Sequence, residues 1–498
     1  MKFFRVLCVL AIALCLTASV YAETQSVKVS GDLTMRGIYR NAYDYQGAPN
    51  EGTGTLGNID SADQSFFMTT AEIEVAADLT DNVSTVIRLL NQRDWDVYYR
   101  SITDGTSPAP NGRGGYGGNY DQFDVMLDLA YVQLKDFIYS PLTLTIGRQD
   151  LWFGKGFIVG ANLQNPGAGT PSSSSGAVQG NNTVPVGNLS APEYTAVTSF
   201  DAIKAVLDYD PWTITGVYSK VYEDAIQAND DVNLWIVNVG YKFDAYKAES
   251  EGYMIIKKDD SAGEISPIKH GNDVYTWGLR GSFDPIDVIT IAGEGAYQGG
   301  QYVGSRKQIH SRDRSAWALD VSGECRYMVE KFAWKPKVGV EYVYYSGNKP
   351  EDNPDVASGD YNGWDGMYRG KFDSAIREFV GSFYATSRYP ARANNMQTYA
   401  DASFTNQHQV IFMGSIQPIE SLTLKANYNL FYNQEQYVIW NDKSGGFVGQ
   451  ELDLQANWDY TEDVSFGLLA GWFIPGEVYF DNRNDVATDL VGTVKVSF

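Results

Sequence analysis

Apolar side chains return at every second position over stretch after stretch of this chain. Val27, Val29, Leu33, Met35 and Tyr39 share one parity, and Lys28, Asp32, Thr34 and Arg36 hold the other. Phe67, Thr69, Ala71, Ile73, Val75, Ala77 and Leu79 repeat the pattern opposite Thr70, Glu72, Glu74 and Asp78. A period of two is the spacing of a β-strand with one apolar and one polar face. Thr80-Asp81-Asn82 then reads as a tight turn, and the chain returns through Val83 to Gln92. The C-terminus alternates too: Leu490, Gly492, Val494, Val496 and Phe498 stand against Thr493, Lys495 and Ser497, with Val491 the exception. Untied chain ends fray, so a strand whose last residue is an aromatic ring has to be paired and rested on something apolar.

Short turns and long polar loops alternate along the rest. Short turns are expected near Asp136–Pro141, Asp210-Pro211, Asp284–Ile286, Glu330–Trp334, Pro418–Ser421 and Tyr460–Asp463. Long loops are expected near Asp94–Asp121, Leu151–Val197, Lys257–Asn272, Gly299–Arg314, Ser346–Thr405, Asn433–Phe447 and Pro475–Asp485. This rhythm predicts about eighteen strands; sixteen is the alternative, the weakest strands being that around Tyr253–Ile256 and anything inside Ser346–Thr405. An even number puts both termini on one side, as bacterial single-chain barrels require. Tyr131, Trp212, Tyr241, Phe243, Tyr297, Trp317, Tyr342, Tyr344, Trp458, Tyr460 and Trp472 fall near strand ends, where membrane barrels carry aromatic girdles. The fold class expected is all-β: a transmembrane up-and-down antiparallel barrel with long extracellular loops. The competing reading, a soluble sandwich, would be oversized for one domain.

The start of the chain supports the membrane reading. Lys2 and Arg5, the apolar run Val6–Leu16 and Val20-Tyr21-Ala22 have the form of a secretory signal peptide over residues 1–22. Residues 23–498 are then expected to form a single barrel domain. Mean hydropathy is negative, but alternating lipid-facing and lumen-facing residues cancel in such an average. Cys8 and Cys15 leave with the leader, so Cys325 stands alone and no intrachain disulfide is possible. The leader also removes two bases, leaving 36 against 61 acids, a net charge of −25. Nucleic acid is excluded as a partner on that balance. It suits an outer surface beside lipid and lipopolysaccharide, with divalent cations between the acidic groups.

Several stretches resemble the alginate-export family of bacterial outer-membrane porins. Leu142-Thr143-Leu144-Thr145-Ile146-Gly147-Arg148-Gln149-Asp150, continuing through Leu151-Trp152-Phe153-Gly154-Lys155-Gly156, is similar to that family's Gly-Arg-Gln strand end and the glycine-rich bend after it. Ser199–Lys204 resembles the strand following the family's long third loop. The hairpin from Asn406–Met413 through Leu422–Leu430 has the family's look as well. The resemblance implies an eighteen-stranded monomeric pore, whose constriction in the characterised exporter is lined with arginines that favour a polyuronate.

The residues themselves qualify that implication. Assigning the polar parity to the lumen places Arg36, Arg88, Lys204, Arg280, Arg326 and Lys425 inside, with Arg148 as a further pore-lining candidate. The same rule puts Glu72, Glu74, Asp128, Glu294, Asp320 and Glu341 there, and also Glu451, Asp453 and Asp489. A ring of one sign selects the other sign, and this lumen is mixed and leans acidic. Parity alone sends Arg148 outward with Leu144 and Ile146; a bulge at Gly147, or a place high at the rim, would re-aim it. The competing role for these bases is wall ion pairing.

No chemistry for catalysis stands out. His270 and His310 fall in expected loops, and His408 lies on the face away from the lumen. Neither a Gly-x-Ser-x-Gly elbow nor a His-Glu-x-x-His helix occurs, so no enzyme is expected. No cofactor is expected either: Ca²⁺ could find oxygen ligands in Asp352–Asp360, Asn229-Asp230-Asp231 or Asp481–Asp485, but none has full EF-hand spacing. The expected function is a porin for hydrophilic solutes, saccharide or anionic polysaccharide, inserted by machinery that reads the strand ending at Phe498. The alternative is a structural or adhesin barrel plugged by its own loops at 162–192 and 346–405.

Overall fold

A computed structural model describes residues 26–42, 64–95, 125–161, 191–223, 231–260, 272–302, 312–326, 332–348, 359–378, 404–439, 443–478 and 485–498. The leader over 1–22, the tract 162–190, His270, His310 and most of the acidic loop segments lie outside them. The strands are β1 (Ser26–Asn41), β2 (Gln64–Thr80), β3 (Val83–Asp94), β4 (Met126–Leu134), β5 (Leu142–Gln149), β6 (Phe200–Asp208) and β7 (Trp212–Tyr222). Then come β8 (Val232–Lys242), β9 (Glu249–Asp259), β10 (Val274–Ile286), β11 (Ile289–Tyr302), β12 (Arg312–Asp313) and β13 (Ala316–Arg326). The last are β14 (Lys337–Tyr345), β15 (Gln407–Ile419), β16 (Leu422–Ile439), β17 (Lys443–Asp459), β18 (Val464–Pro475) and β19 (Ala487–Ser497).

All pairings in the wall are antiparallel between sequence neighbours, and β1 closes on β19 from Asp32↔Ser497 to Asn41↔Thr488. Apart from the two-residue β12, which pairs only with the tip of β11, eighteen strands form the closed wall among the described residues. Closure removes the exposed edges that invite aggregation. The terminal residue takes part in it. Gly31 N–H donates to the Phe498 carbonyl at 2.8 Å, and Phe498 N–H donates back to Gly31 at 2.9 Å. A Cβ at Gly31 would lie 2.6 Å from the Phe498 ring, so glycine is what makes room for it.

Burial runs opposite to that of a water-soluble protein. Leu279 is 73% exposed and Val29 60%, while Glu451 and Asp489 are fully buried. Apolar parity faces outward and polar parity inward, the arrangement of a barrel whose solvent outside is hydrocarbon. No helix among the described residues is long and apolar enough to cross a membrane, and strands make the crossing. Aromatic clusters mark both ends of the band. Trp212, Tyr241 and Phe243 meet edge to face by the short turns; there too Tyr460 meets Trp458 and Phe466 edge to face while those two stack. At the other end Tyr275, Trp277, Tyr297 and Trp317 contact one another in series. His408 belongs to the outer face as parity predicts, with its Nδ1 2.7 Å from the Tyr342 hydroxyl and its ring beside Tyr344.

The expected eighteen strands are found among the described residues and one loop expectation changes. Tyr253–Ile256 lies within β9; the turn feeding it, residues 243–248, carries positive φ at Tyr246 and Lys247 rather than at glycine. Large side chains there hid the turn. The expected loop Asn433–Phe447 is mostly strand, because β16 and β17 stay paired out to Ile439↔Lys443 beyond a register shift between Tyr432 and Tyr437.

Candidate pore constriction

Two segments leave the wall and cross the lumen. The first follows β5. Gly154 (φ +55°) and Gly156 (φ +76°) adopt left-handed backbone that other residues rarely take, and this turns residues 151–161 inward. Gly154 then lies against the far wall, where a Cβ would fall 2.8 Å from Arg280 Cδ and 3.2 Å from Glu294 Oε2. Next to it, Lys155 Nζ donates to Ser322 Oγ of β13 at 2.7 Å.

The second segment, 359–378, comes from the long connection between β14 and β15. Its ends are held by charge. Lys257 of β9 pairs with buried Asp365 at 2.8 Å, and Gln298 of β11 exchanges hydrogen bonds with the Asp365 backbone at 2.8 and 2.9 Å. Lys371 sits among Asp320 at 3.0 Å, Asp373 at 3.2 Å and Glu341. Arg369 reaches the Tyr345 hydroxyl, Asp373 at 3.0 Å and Glu378 at 3.7 Å. At the far end the N–H groups of Ile376 and Arg377 donate to the Glu451 carboxylate at 2.7 and 2.8 Å, and that of Ala375 to Asp453 at 3.3 Å.

The two segments bind each other. Tyr368 N–H donates to Ile158 O at 3.0 Å, Gly160 N–H donates to Tyr368 O at 2.7 Å, and Gly370 N–H donates to Gly156 O at 2.9 Å. Phe157, Ile158, Val159, Trp364, Met367 and Tyr368 pack together against Phe200, Leu234, Ile236, Ile255 and Val274 of the wall. These wall residues are inward-facing yet apolar, exceptions to the polar-in rule that meet an apolar plug. Each fully buried side chain of this size contributes about 1.5–3 kcal/mol, enough to hold the segments inside the barrel. Burial opposes the charge on Lys371, but attraction by Asp373, Asp320 and Glu341 outweighs it and holds the ammonium above its ordinary range. Arg369 is likewise raised, with burial again opposed by Tyr345, Glu378 and Asp373.

A third inward contact comes from residues 191–199, which return to β6. The 3-10 turn Pro192–Tyr194 sets Glu193 against Arg40, and Arg40 lies 3.6 Å from Asp489 across the β1–β19 closure. Gln92 meets Thr195 Oγ1 at 2.9 Å and accepts from Ala196 N–H at 3.0 Å. Burial is the main reason the Tyr194 hydroxyl is pushed well above its ordinary range.

The residues singled out from sequence fall into distinct groups around this neck. Glu294, Asp320, Glu341 and Arg280 are brought to it; Arg280 pairs with Glu249 at 2.7 Å and Glu251 at 2.5 Å. Glu251, Arg280, Glu294 and Asp320 occupy directly opposed positions on β9, β10, β11 and β13, a charged belt on one row. On another part of the wall Arg88 bonds Asp128 at 2.6 Å and lies 3.9 Å from both Glu72 and Glu74, with Asp150 at 3.5 Å. Arg36 reaches Thr70 Oγ1 at 3.4 Å and lies over the Tyr194 ring at 5.1 Å. Lys204 lines a cavity beneath the first segment. Arg326, paired with Glu324 at 3.1 Å, and exposed Lys425 sit toward the short-turn end, away from the neck. Arg148 pairs with Asp201 at 3.3 Å, one residue from the end of β5. No register shift occurs at Gly147; its φ of +124° bends the strand instead, and a Cβ there would stand 2.2 Å from Ala130 O. Sequence reading missed Lys155, Lys257, Asp365, Arg369, Lys371, Asp373 and Glu378. Their one visible signal is apolar residues set among glycines, Phe157–Val159 and Trp364–Tyr368, inside otherwise polar loops.

A family model described as Alginate export matches residues 33–493. No curated protein matches the chain. Among solved structures, Acinetobacter baumannii OccAB1 superposes with a TM-score of 0.52 at 10% identity, covering 97% of this chain and 99% of its own. Pseudomonas aeruginosa OpdO gives 0.52 at 10% identity, covering 96% and 98%. A. baumannii OccAB4 gives 0.51 at 10% identity, covering 96% and 99%. At that identity the likeness is one of fold. With a family match over nearly the whole chain and a closed wall that is apolar outside and polar inside, the protein belongs to the alginate export family and is a porin channel of the bacterial outer membrane.

Proposed function

We propose that the channel passes saccharides, and that uncharged or short ones are favoured over a long polyuronate. The observation that carries this is how the bases near the neck are held. Arg280, Lys371 and Arg88 each sit within 2.5–3.5 Å of carboxylates. Bases compensated in this way leave a wall of alternating donors and acceptors, which suits hydroxyl groups, instead of an uncompensated positive ladder that would draw in a polyanion. The plug narrows the passage, so selection is steric as well as electrostatic. The acid excess of the chain points the same way.

Purified protein in planar bilayers tests this reading. The expected result is discrete channels, a reversal potential in a salt gradient that favours cations, and transient block by neutral maltooligosaccharides. An anion-favouring reversal potential with block by polyuronate alone would sink it. Electrical silence would favour the plugged structural or adhesin barrel.

The partners follow from the same surface. We read Phe498 as the residue that the insertion machinery recognises, the acidic outer loops as neighbours of lipopolysaccharide, and the barrel as a monomer. Phe498→Ala is expected to lower the yield of assembled, heat-modifiable barrel in outer membranes. Unchanged yield would remove that role.

A further inference from the structure

Trp152 is a large apolar side chain in a place where the aqueous lumen offers it no obvious shelter. It lies on the inward-turning segment after β5 and is 56% exposed. It is nevertheless fixed. Its indole N–H donates to the Gly154 carbonyl at 3.0 Å. The backbones of Gly156, Gly160 and Gly370 press on its six-membered ring so closely that a Cβ on any of them would come within 2.5–3.0 Å of ring carbons. Glycines from both inward segments therefore hold the ring, which lines a cavity of about 320 Å³.

The rest of the lining is mixed, with Phe153, Val206 and Pro211 beside polar groups. Among these polar groups are Lys204, Thr215, Asn238, Glu249 and Glu251. Asn238 Nδ2 donates to Glu251 Oε2 at 3.0 Å, and Arg280 binds the other Glu251 oxygen and Glu249, so the acceptors are held in place before anything arrives. A rigid aromatic plate lining the same cavity as oriented donors and acceptors is complementary to a flat ring with apolar C–H faces and a rim of hydroxyls. We propose that Trp152 and this cavity form a pyranose-binding subsite below the constriction, where a sugar ring stacks on the indole while its hydroxyls bond Asn238, Glu251 and Lys204. This rests on the saccharide reading above and adds to it where in the lumen the sugar pauses. A tight permanent grip would stop flux; a single stacking platform gives brief residence.

Single-channel recording with a linear maltooligosaccharide tests it, with block dwell times compared within each variant's own open-channel current. Trp152→Ala is expected to shorten the dwell about tenfold and Trp152→Phe to retain most of it. If Trp152→Ala also shifts the open current, the segment has moved. Asn238→Ala, on the wall, then decides: a shortened dwell supports the subsite and an unchanged one overturns it. Block in the wild type with equal dwell in all three variants overturns the subsite and leaves saccharide passage standing. Absence of block in the wild type overturns both.

Discussion

Replacing Lys371 with methionine should produce a channel of several-fold larger conductance. The ammonium is the common partner of Asp320 on β13, Glu341 on β14 and Asp373 on its own segment. Methionine fills similar volume but leaves these carboxylates facing one another in a buried place. Removing one member of a buried ion cluster costs about 3–5 kcal/mol, more than any one apolar contact of the plug provides. Repulsion then acts between wall and plug, and the middle of residues 359–378 should swing away from β13 and β14. Barrel closure does not involve these residues, so heat-modifiable migration on gels should be retained. Lys371→Arg should conduct like the wild type. A folded Lys371→Met barrel of wild-type conductance would show that the apolar cluster alone seats the plug.

The plug should also loosen as pH rises from about 4.5 to about 7. Glu378 is fully buried near the far anchor, where it accepts hydrogen bonds from the N–H groups of Asp373 and of Ser374, the latter at 2.9 Å. Burial, and then repulsion by Asp373, raise its carboxyl from 4.5 to about 7 despite those bonds and Arg369. A docked plug thus keeps a proton that a released one gives up. Between about 4.5 and 7 the docked state binds more protons, so its advantage falls with increasing pH and levels off above about 7. The expected outcome is quiet current in mildly acidic buffer and more frequent open excursions in mildly basic buffer. Asp373, Glu451 and Asp453 face the same turn, so the assignment needs Glu378→Gln, which cannot ionise and should stay quiet across the range. An identical pH step in that variant would place the titration on another of these groups.

What could be read in advance follows from the range over which each feature is decided. Strand alternation is set by backbone geometry over a few residues, so β1, β2 and β19 were legible almost residue by residue. Asp210-Pro211 announced its turn through residue type, whereas 243–248 turns at Tyr246 and Lys247 and gave no such signal. The lumen lists followed parity and carried no height, and so set Arg326 and Lys425 beside Arg280 although they lie toward the short-turn end. Trp152 drew no attention as a functional residue because one exposed tryptophan in a loop has no pattern around it.

Alternation with a period of two, taken by itself, determined the strands and which residues share an apolar or a polar face, since these depend only on neighbours along the chain; the leader and the number of strands then turned that reading from a sandwich into a barrel. Only the tertiary structure decided where residues 151–161 and 359–378 go and which bases they bring to the neck. Those positions depend on partners tens to hundreds of residues away, such as Lys371 with Glu341 or Lys155 with Ser322. A loop's path is chosen by the wall it meets, and that wall exists only after the cylinder has closed.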